Sequence, residues 1–234
     1  MNIIGIDCAT KQSKIGLALS SFKSGKATVQ DVKAGSDIKP ALAIVQDWLT
    51  ETQPTLLAID APLGWPIELG RTLHSHKAGE WIDVDRDILF SRYTDREVYR
   101  RLNKKPLEVG ANLIARTAHA ALQLLGELRK ETKLAIPLAW APSYVTETCA
   151  IEVYPAATLK TMGIEYRSRL SAIRDDDCLS IDVAEENLKN EHVIDAVVCV
   201  LAAVDFLIGK CELPNRSEKE LVEKEGWIWV RRKT

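Results

Sequence analysis

The chain has 234 residues, 31 of them Lys or Arg and 33 Asp or Glu, for a formal net charge of −2. At 46% hydrophobic and 27% charged residues, it has the composition of a globular protein long enough to bury a sizeable core. The near-neutral balance excludes a protein that wraps nucleic acid in a uniformly basic surface, so contact with a phosphate backbone would have to come from a local patch.

In chain order, Ile3–Asp7 is a short apolar run that ends in a carboxylate. Lys14–Ser20 and Lys26–Ala34 follow as strand candidates, with Ser24-Gly25 as the turn between them. The opening therefore reads as a three-strand antiparallel meander. Asp37 then precedes a helical pattern through Leu42, Ile44, Val45, Trp48 and Leu49, where Asp37 would cap and Pro40 would sit in the first turn. Leu56–Asp60 is the next strand, broken by Ala61-Pro62-Leu63-Gly64. Residues 65–107 show no clean strand pattern and read as an insertion in a single domain spanning 1–234. Within it, Thr94 and Glu97 have the spacing of a capping box.

Glu108–Arg129 has a helical apolar stripe from Leu113 to Leu125. Thr148–Tyr154 is another strand, stopped by Pro155. Ala157–Leu188 reads as helix in pieces, and Val193–Ile208 as a buried helix. Ser217 and Glu220 would cap a short helix that Gly226 ends, and Trp227–Val230 would be a final strand. Strands separated by helices imply a mixed sheet covered on both faces.

The five cysteines are scattered and form no C-x-x-C pair, so no zinc site or disulfide framework is legible. That usage points to a reduced, cytoplasmic protein. The N-terminus enters a strand at once, without the pattern of a signal peptide. The most apolar segment, 193–208, is too short for a membrane helix and contains Asp195 and Asp205.

Four acids interrupt apolar elements: Asp7 and Asp60 at strand ends, Glu152 inside Ala150-Ile151-Glu152-Val153-Tyr154, and Asp195 in the buried helix. A carboxylate in such surroundings is costly unless it is paired or binds a cation. If the first and fourth strands are parallel neighbours, Asp7 and Asp60 share one crevice at their carboxyl ends. Each acid also has an ordinary explanation: a turn or helix cap for Asp7 and Asp60, a solvated edge for Glu152, and a first helical turn for Asp195. Taken together, the four make an oxygen-ligand set of the kind that Mg²⁺ or Mn²⁺ requires.

The motifs Gly5-Ile6-Asp7-Cys8-Ala9, Ile59-Asp60-Ala61-Pro62-Leu63-Gly64, Ile151-Glu152-Val153-Tyr154-Pro155-Ala156, Asp195-Ala196 and Glu225-Gly226-Trp227-Ile228 occur in this order. That ordered set resembles domain-of-unknown-function family 429, whose members are described as predicted nucleases of RNase H-like fold. The resemblance spans nearly the whole chain. It implies an α/β mixed sheet with an insertion after the fourth strand, and a two-metal site that hydrolyses phosphodiester bonds. It also implies that Asp7, Asp60 and Asp195 are metal ligands, with Glu152 a further catalytic candidate. His192, three residues before Asp195, would assist or simply cap the helix, the structural role being favoured.

The insertion carries Arg92, Arg96, Arg100 and Lys104, candidate contacts to a nucleic-acid substrate, DNA or RNA. The competing explanation is a salt-bridged surface helix, because Asp83, Asp85, Asp87, Asp95 and Glu97 are interleaved with them. His74 and His76 lack a third ligand at suitable spacing and read as loop residues. Two further functions stay open. One is a non-catalytic binding module whose acids are structural. The other is an ATP-dependent phosphotransferase, suggested by Asp7-x-Ala9-Thr10 with Gly16, which would require a homodimer.

Overall fold

A computed structural model describes residues 1–49, 53–110, 112–142 and 145–233. Seven strands form one sheet: β1 (Asn2–Asp7), β2 (Gly16–Lys23), β3 (Lys26–Ala34), β4 (Thr55–Asp60), β5 (Cys149–Val153), β6 (Leu179–Ile181) and β7 (Ile228–Trp229). Their order is β6-β3-β2-β1-β4-β5-β7. β2 runs antiparallel to β1 and β3, while β1, β4, β5 and β7 run parallel to one another. The 3-2-1-4-5 core of this order, with only the second strand reversed, is that of an RNase H-like fold. The meander closes at Ser24 and Gly25, both at positive φ, as a tight hairpin turn requires.

Nine helices lie among the described residues: α1 (Ala41–Trp48), α2 (Ile67–Leu73), α3 (Arg86–Phe90), α4 (Tyr93–Leu102), α5 (Ile114–Thr132), α6 (Pro155–Thr161), α7 (Arg169–Arg174), α8 (Glu191–Leu207) and α9 (Lys219–Glu225). Strand alternation divides the core. Ile3, Ala58, Cys149 and Ile151 meet α8 on one face, while Ile4, Ile6, Leu57 and Ile59 meet α1 and α5 on the other. α8 is buried along nearly all its length, which explains why its sequence is apolar all round. No helix among the described residues is long and apolar enough to cross a membrane.

Several local expectations give way to tertiary partners. Asp37 does not cap α1; the amide of Ala41 instead donates to Gln12 Oε1 at 2.9 Å. Thr94 does not cap α4, because its hydroxyl accepts the amide of Ile228 at 2.8 Å. The cap comes from Asp95, which accepts the Arg92 amide at 3.0 Å. Ser217 lies in a 3-10 turn that precedes α9, where Asn215 Oδ1 accepts its amide at 3.2 Å. The expected helix over Glu108–Arg129 starts later, at Ile114, and its residue Ala111 lies outside the described residues, as does Thr234 at the chain end. β6 was not legible as a strand, since its three residues owe their pairing entirely to β3.

The seating of α8 depends on two glycines. A Cβ at Gly5 would stand 2.0 Å from the Ala196 carbonyl oxygen, and one at Gly16 would stand 1.9 Å from that of His192. Both contacts fall on the helix segment that carries His192 and Asp195, so the absent side chains let those residues reach β1. Gly16→Ala should cost about 1–3 kcal/mol through overpacking against rigid backbone. A urea titration would read this as a lower midpoint at unchanged slope. An unchanged midpoint would show that α8 can retreat freely.

Candidate functional site

β1 and β4 pair in register through their last residues, which sets Asp7 directly opposite Asp60. Both side chains point to the α8 face, because Asp7 alternates with Gly5 and Ile3, and Asp60 with Ala58 and Leu56. α8 brings Asp195 and His192 to the same place, one helical turn apart. The three aspartates, read separately in the sequence, therefore converge at the carboxyl ends of the two central strands. A crevice of about 270 Å³ opens there, lined by Asp7, Asp60, Leu107, Glu152 and Tyr154 among others.

Each acid is held differently. Asp7 Oδ2 lies 2.7 Å from His192 Nδ1. Asp195 accepts a hydrogen bond from the Tyr166 hydroxyl at Oδ2, and its Oδ1 lies 2.9 Å from Arg169 Nε. Asp60 has no side-chain hydrogen bond or ion pair among the described residues. Burial, opposed by His192 and reinforced by the charge of Asp195, raises the Asp7 pKa to about 6. Burial and the charges of Asp7, Asp195 and Glu152 push Asp60 well above the carboxylate range. Asp195 is raised by burial, against the pull of Tyr166 and Arg169.

The cost of these charges has a measurable sign. Asp7 binds its proton more tightly in the folded chain than in the unfolded one. Its ionisation therefore weakens folding fully above about pH 6, and the penalty vanishes as pH falls below the ordinary value of 3.8. Asp7→Asn should consequently be more stable than the parent at pH 7–8, and the difference should close toward pH 4. Thermal melts of the two proteins across that range, in chelator, check this; a gap that widens on acidification would contradict it.

Glu152 and Arg92, expected as catalytic and substrate-binding residues, border the same crevice but are engaged with each other. Glu152 registers with Ile59, so strand alternation turns its side chain to the opposite sheet face from Asp60. There it receives Arg92 Nη1 and Nη2 at 2.8 and 2.7 Å, and the Leu63 amide at 2.9 Å. Arg92 also donates to both oxygens of Asp95, and only 1% of its surface is exposed. Burial alone would lower the Arg92 pKa, but Glu152 and Asp95 more than offset it and raise it. The guanidinium is thus charged and fully committed inside the protein.

Glu225, which sequence reading did not single out, completes this cluster. Its Oε1 accepts the first amide of α2 at 2.8 Å and its Oε2 the first amide of α4 at 2.6 Å. One carboxylate at the end of α9 therefore caps two helix N-termini, where a negative charge is favoured. The only sequence signal was its place in the Glu225-Gly226-Trp227-Ile228 motif.

The remaining basic candidates lie on or just after α4. Arg100 is exposed and pairs with Glu97 at 2.8 Å, and Arg96 donates to the Ser91 and Asp87 carbonyls. Lys104 is half-buried beside Lys160 and Tyr166 in a shallow groove. Much of the positive charge near α4 is thus balanced locally, as the interleaved acids suggested. Cys8 also lines the crevice, but burial and the charges of Asp60 and Asp7 push its thiol up to about 12, so it is no nucleophile at neutral pH.

The model of the family described as "Protein of unknown function (DUF429)" matches residues 5–219. The chain belongs to this family. The matched span runs from β1 through the start of α9 and includes Asp7, Asp60, Glu152 and Asp195. No curated protein matches the chain. Among solved structures, Thermus thermophilus RuvC in complex with a Holliday junction substrate is similar at 15% identity and a TM-score of 0.45. A second Thermus thermophilus RuvC structure is similar at 14% identity and 0.44. Each comparison covers 89% of this chain and 97% of the other.

Proposed function

We propose that the crevice at Asp7, Asp60 and Asp195 is the centre of a divalent-metal-dependent nuclease that hydrolyses phosphodiester bonds in DNA or RNA. The observation that carries this reading is the register of Asp7 against Asp60 at the ends of adjacent parallel strands, with α8 turning Asp195 toward them. Burial and like charge make these carboxylates costly to ionise unless a cation joins them.

The donor set fits Mg²⁺ or Mn²⁺. It is all oxygen, and such ions commonly use one or two protein carboxylates, completing their shell with water and substrate phosphates. Asp7 and Asp60 would hold the ion through the oxygens that no other side chain engages. Bound there, it would polarise a phosphodiester and lower the pKa of the attacking water. The chain's own residues set the frame. His192 orients Asp7, and Tyr166 and Arg169 hold Asp195. The pair Glu152–Arg92 is a positioning device that ties β5 to the start of α4 and to the loop at Leu63. Arg96, Arg100 and Lys104, on or just after α4, would contact the phosphate backbone, which would compete with local acids such as Glu97 for them.

The test is cleavage of a panel of single-stranded, duplex, hybrid and branched DNA and RNA in Mg²⁺ or Mn²⁺. Cleavage should require the ion and stop on chelation. Failure on every substrate would overturn the reading.

A second reading, a non-catalytic binding module, has one observation in its favour. Among the described residues, no three His, Cys, Asp or Glu side chains already stand together as a metal-binding group. Crystals soaked in Mn²⁺ discriminate the two, since the nuclease reading places an ion against Asp7 and Asp60.

A further inference from the structure

Asp195 differs from its two neighbours in having both oxygens engaged. Tyr166 donates to one, and Arg169 Nε stands 2.9 Å from the other. Arg169 is itself 6% exposed. Its guanidinium lies 3.9 Å over the Tyr166 ring, and Nη1 donates to the Tyr166 carbonyl at 3.0 Å. Its Nε and Nη2 make no aligned hydrogen bond, and neither does Asp195 Oδ1. The contact is therefore one of charge rather than a bidentate pair. α7 begins at Arg169 and follows directly on the 3-10 turn of Tyr166–Ser168, so a single short segment delivers both partners to α8.

An arginine side chain stays protonated in proteins. A permanent positive charge buried against the third acid neutralises that acid without any metal, and it repels a divalent ion from the same position. Among the described residues, no Arg or Lys pairs directly with Asp7 or Asp60; their one side-chain partner is the His192 ring, and the Arg169 charge reaches Asp7 only as a smaller, more distant effect.

We propose that this chain takes one divalent ion rather than two, held by Asp7 and Asp60, and that the Arg169 guanidinium beside Asp195 stands where a second ion would. The inference rests on the metal-binding reading above, and it assigns Asp195 to Arg169 rather than to a metal.

The experiment counts Mn²⁺ bound to the full chain by equilibrium dialysis, with calorimetry for affinity, and needs no turnover. Wild type should bind one ion per chain. Asp7→Asn should weaken that ion roughly tenfold or more, given that even outer partners of a metal site carry about 10–100-fold. Asp195→Asn should cost the ion's affinity clearly less than Asp7→Asn does, since it removes no ligand of that ion. Arg169→Gln should bind a second ion, lost again when Asp195→Asn is added. Two ions on wild type, or Asp195→Asn costing as much as Asp7→Asn, would overturn the inference while leaving the metal reading intact. No ion on wild type would overturn both. If Arg169→Gln does not fold, the comparison of Asp195→Asn with Asp7→Asn still decides the matter.

Discussion

Asp60→Asn is expected to reduce divalent-metal-dependent cleavage by on the order of 10³-fold, or about 4 kcal/mol of transition-state stabilisation. Asn is nearly isosteric with Asp, and Asp60 has no side-chain partner among the described residues to lose, so the substitution removes charge and little else. The same change relieves the burial and like-charge repulsion that raise the Asp60 pKa. Stability should therefore hold or rise while activity collapses. Asp7→Asn should behave alike, with the added loss of the charged partner of His192. The measurement is initial cleavage rate beside the thermal midpoint of each variant. Undiminished cleavage by both variants would refute the nuclease assignment. A parallel fall in midpoint would show that these acids serve the fold.

Arg92→Met should have the opposite signature. It leaves Glu152 and Asp95 as buried carboxylates without their cation, and such a loss typically costs about 3–5 kcal/mol. Against a total stability of roughly 5–15 kcal/mol for a typical domain, that is enough to leave a substantial unfolded fraction. The cost comes from stranding two charges rather than from losing one contact. Neutralising them as well, in Arg92→Met with Glu152→Gln and Asp95→Asn, should therefore recover part of it. Urea titrations of the single and triple variants measure this. A triple variant less stable than the single one would show that the carboxylates are supported by something other than Arg92. Cleavage should fall in proportion to the folded fraction of Arg92→Met, since Arg92 acts by holding α4 against β5.

The two sets of acids explain why sequence reading reached one half of the site more easily than the other. Asp7, Asp60 and Asp195 each break an apolar run that has to be buried. A charge there demands an explanation whatever the fold, and the strand-end positions point to a shared crevice. Glu152 raised the same question, but its answer lay 60 residues away in Arg92. A pairing of that kind has no periodic signature. Glu225 is further removed, reaching the amide of Ile67 across 158 residues. Its place at the end of an ordinary amphipathic helix marks nothing unusual. Tyr166 and Arg169 also lay beyond sequence reading, because they sit in a short irregular stretch with no dominant apolar pattern.

The opening charge balance changes meaning in the same way. A near-zero total is compatible with an acidic crevice beside a basic segment. The structure adds that many of the charges around α4 are paired locally, with Glu97 between Arg100 and Arg101 and Lys105 against Glu108.

By itself, then, the sequence determined the mixed sheet, the meander and the buried helix, because hydrophobic periodicity and turn chemistry are local properties of the chain, while the resemblance to the family rested on its ordered motifs. It also determined which three aspartates would be costly to bury. Only the tertiary structure decided what each acid meets. Strand parity sends Glu152 to the other face from Asp60, and the bare backbones of Gly5 and Gly16 let α8 bring Asp195 within reach of Arg169 and the sheet. Partners of that kind are chosen by packing in three dimensions, which no spacing along the chain records.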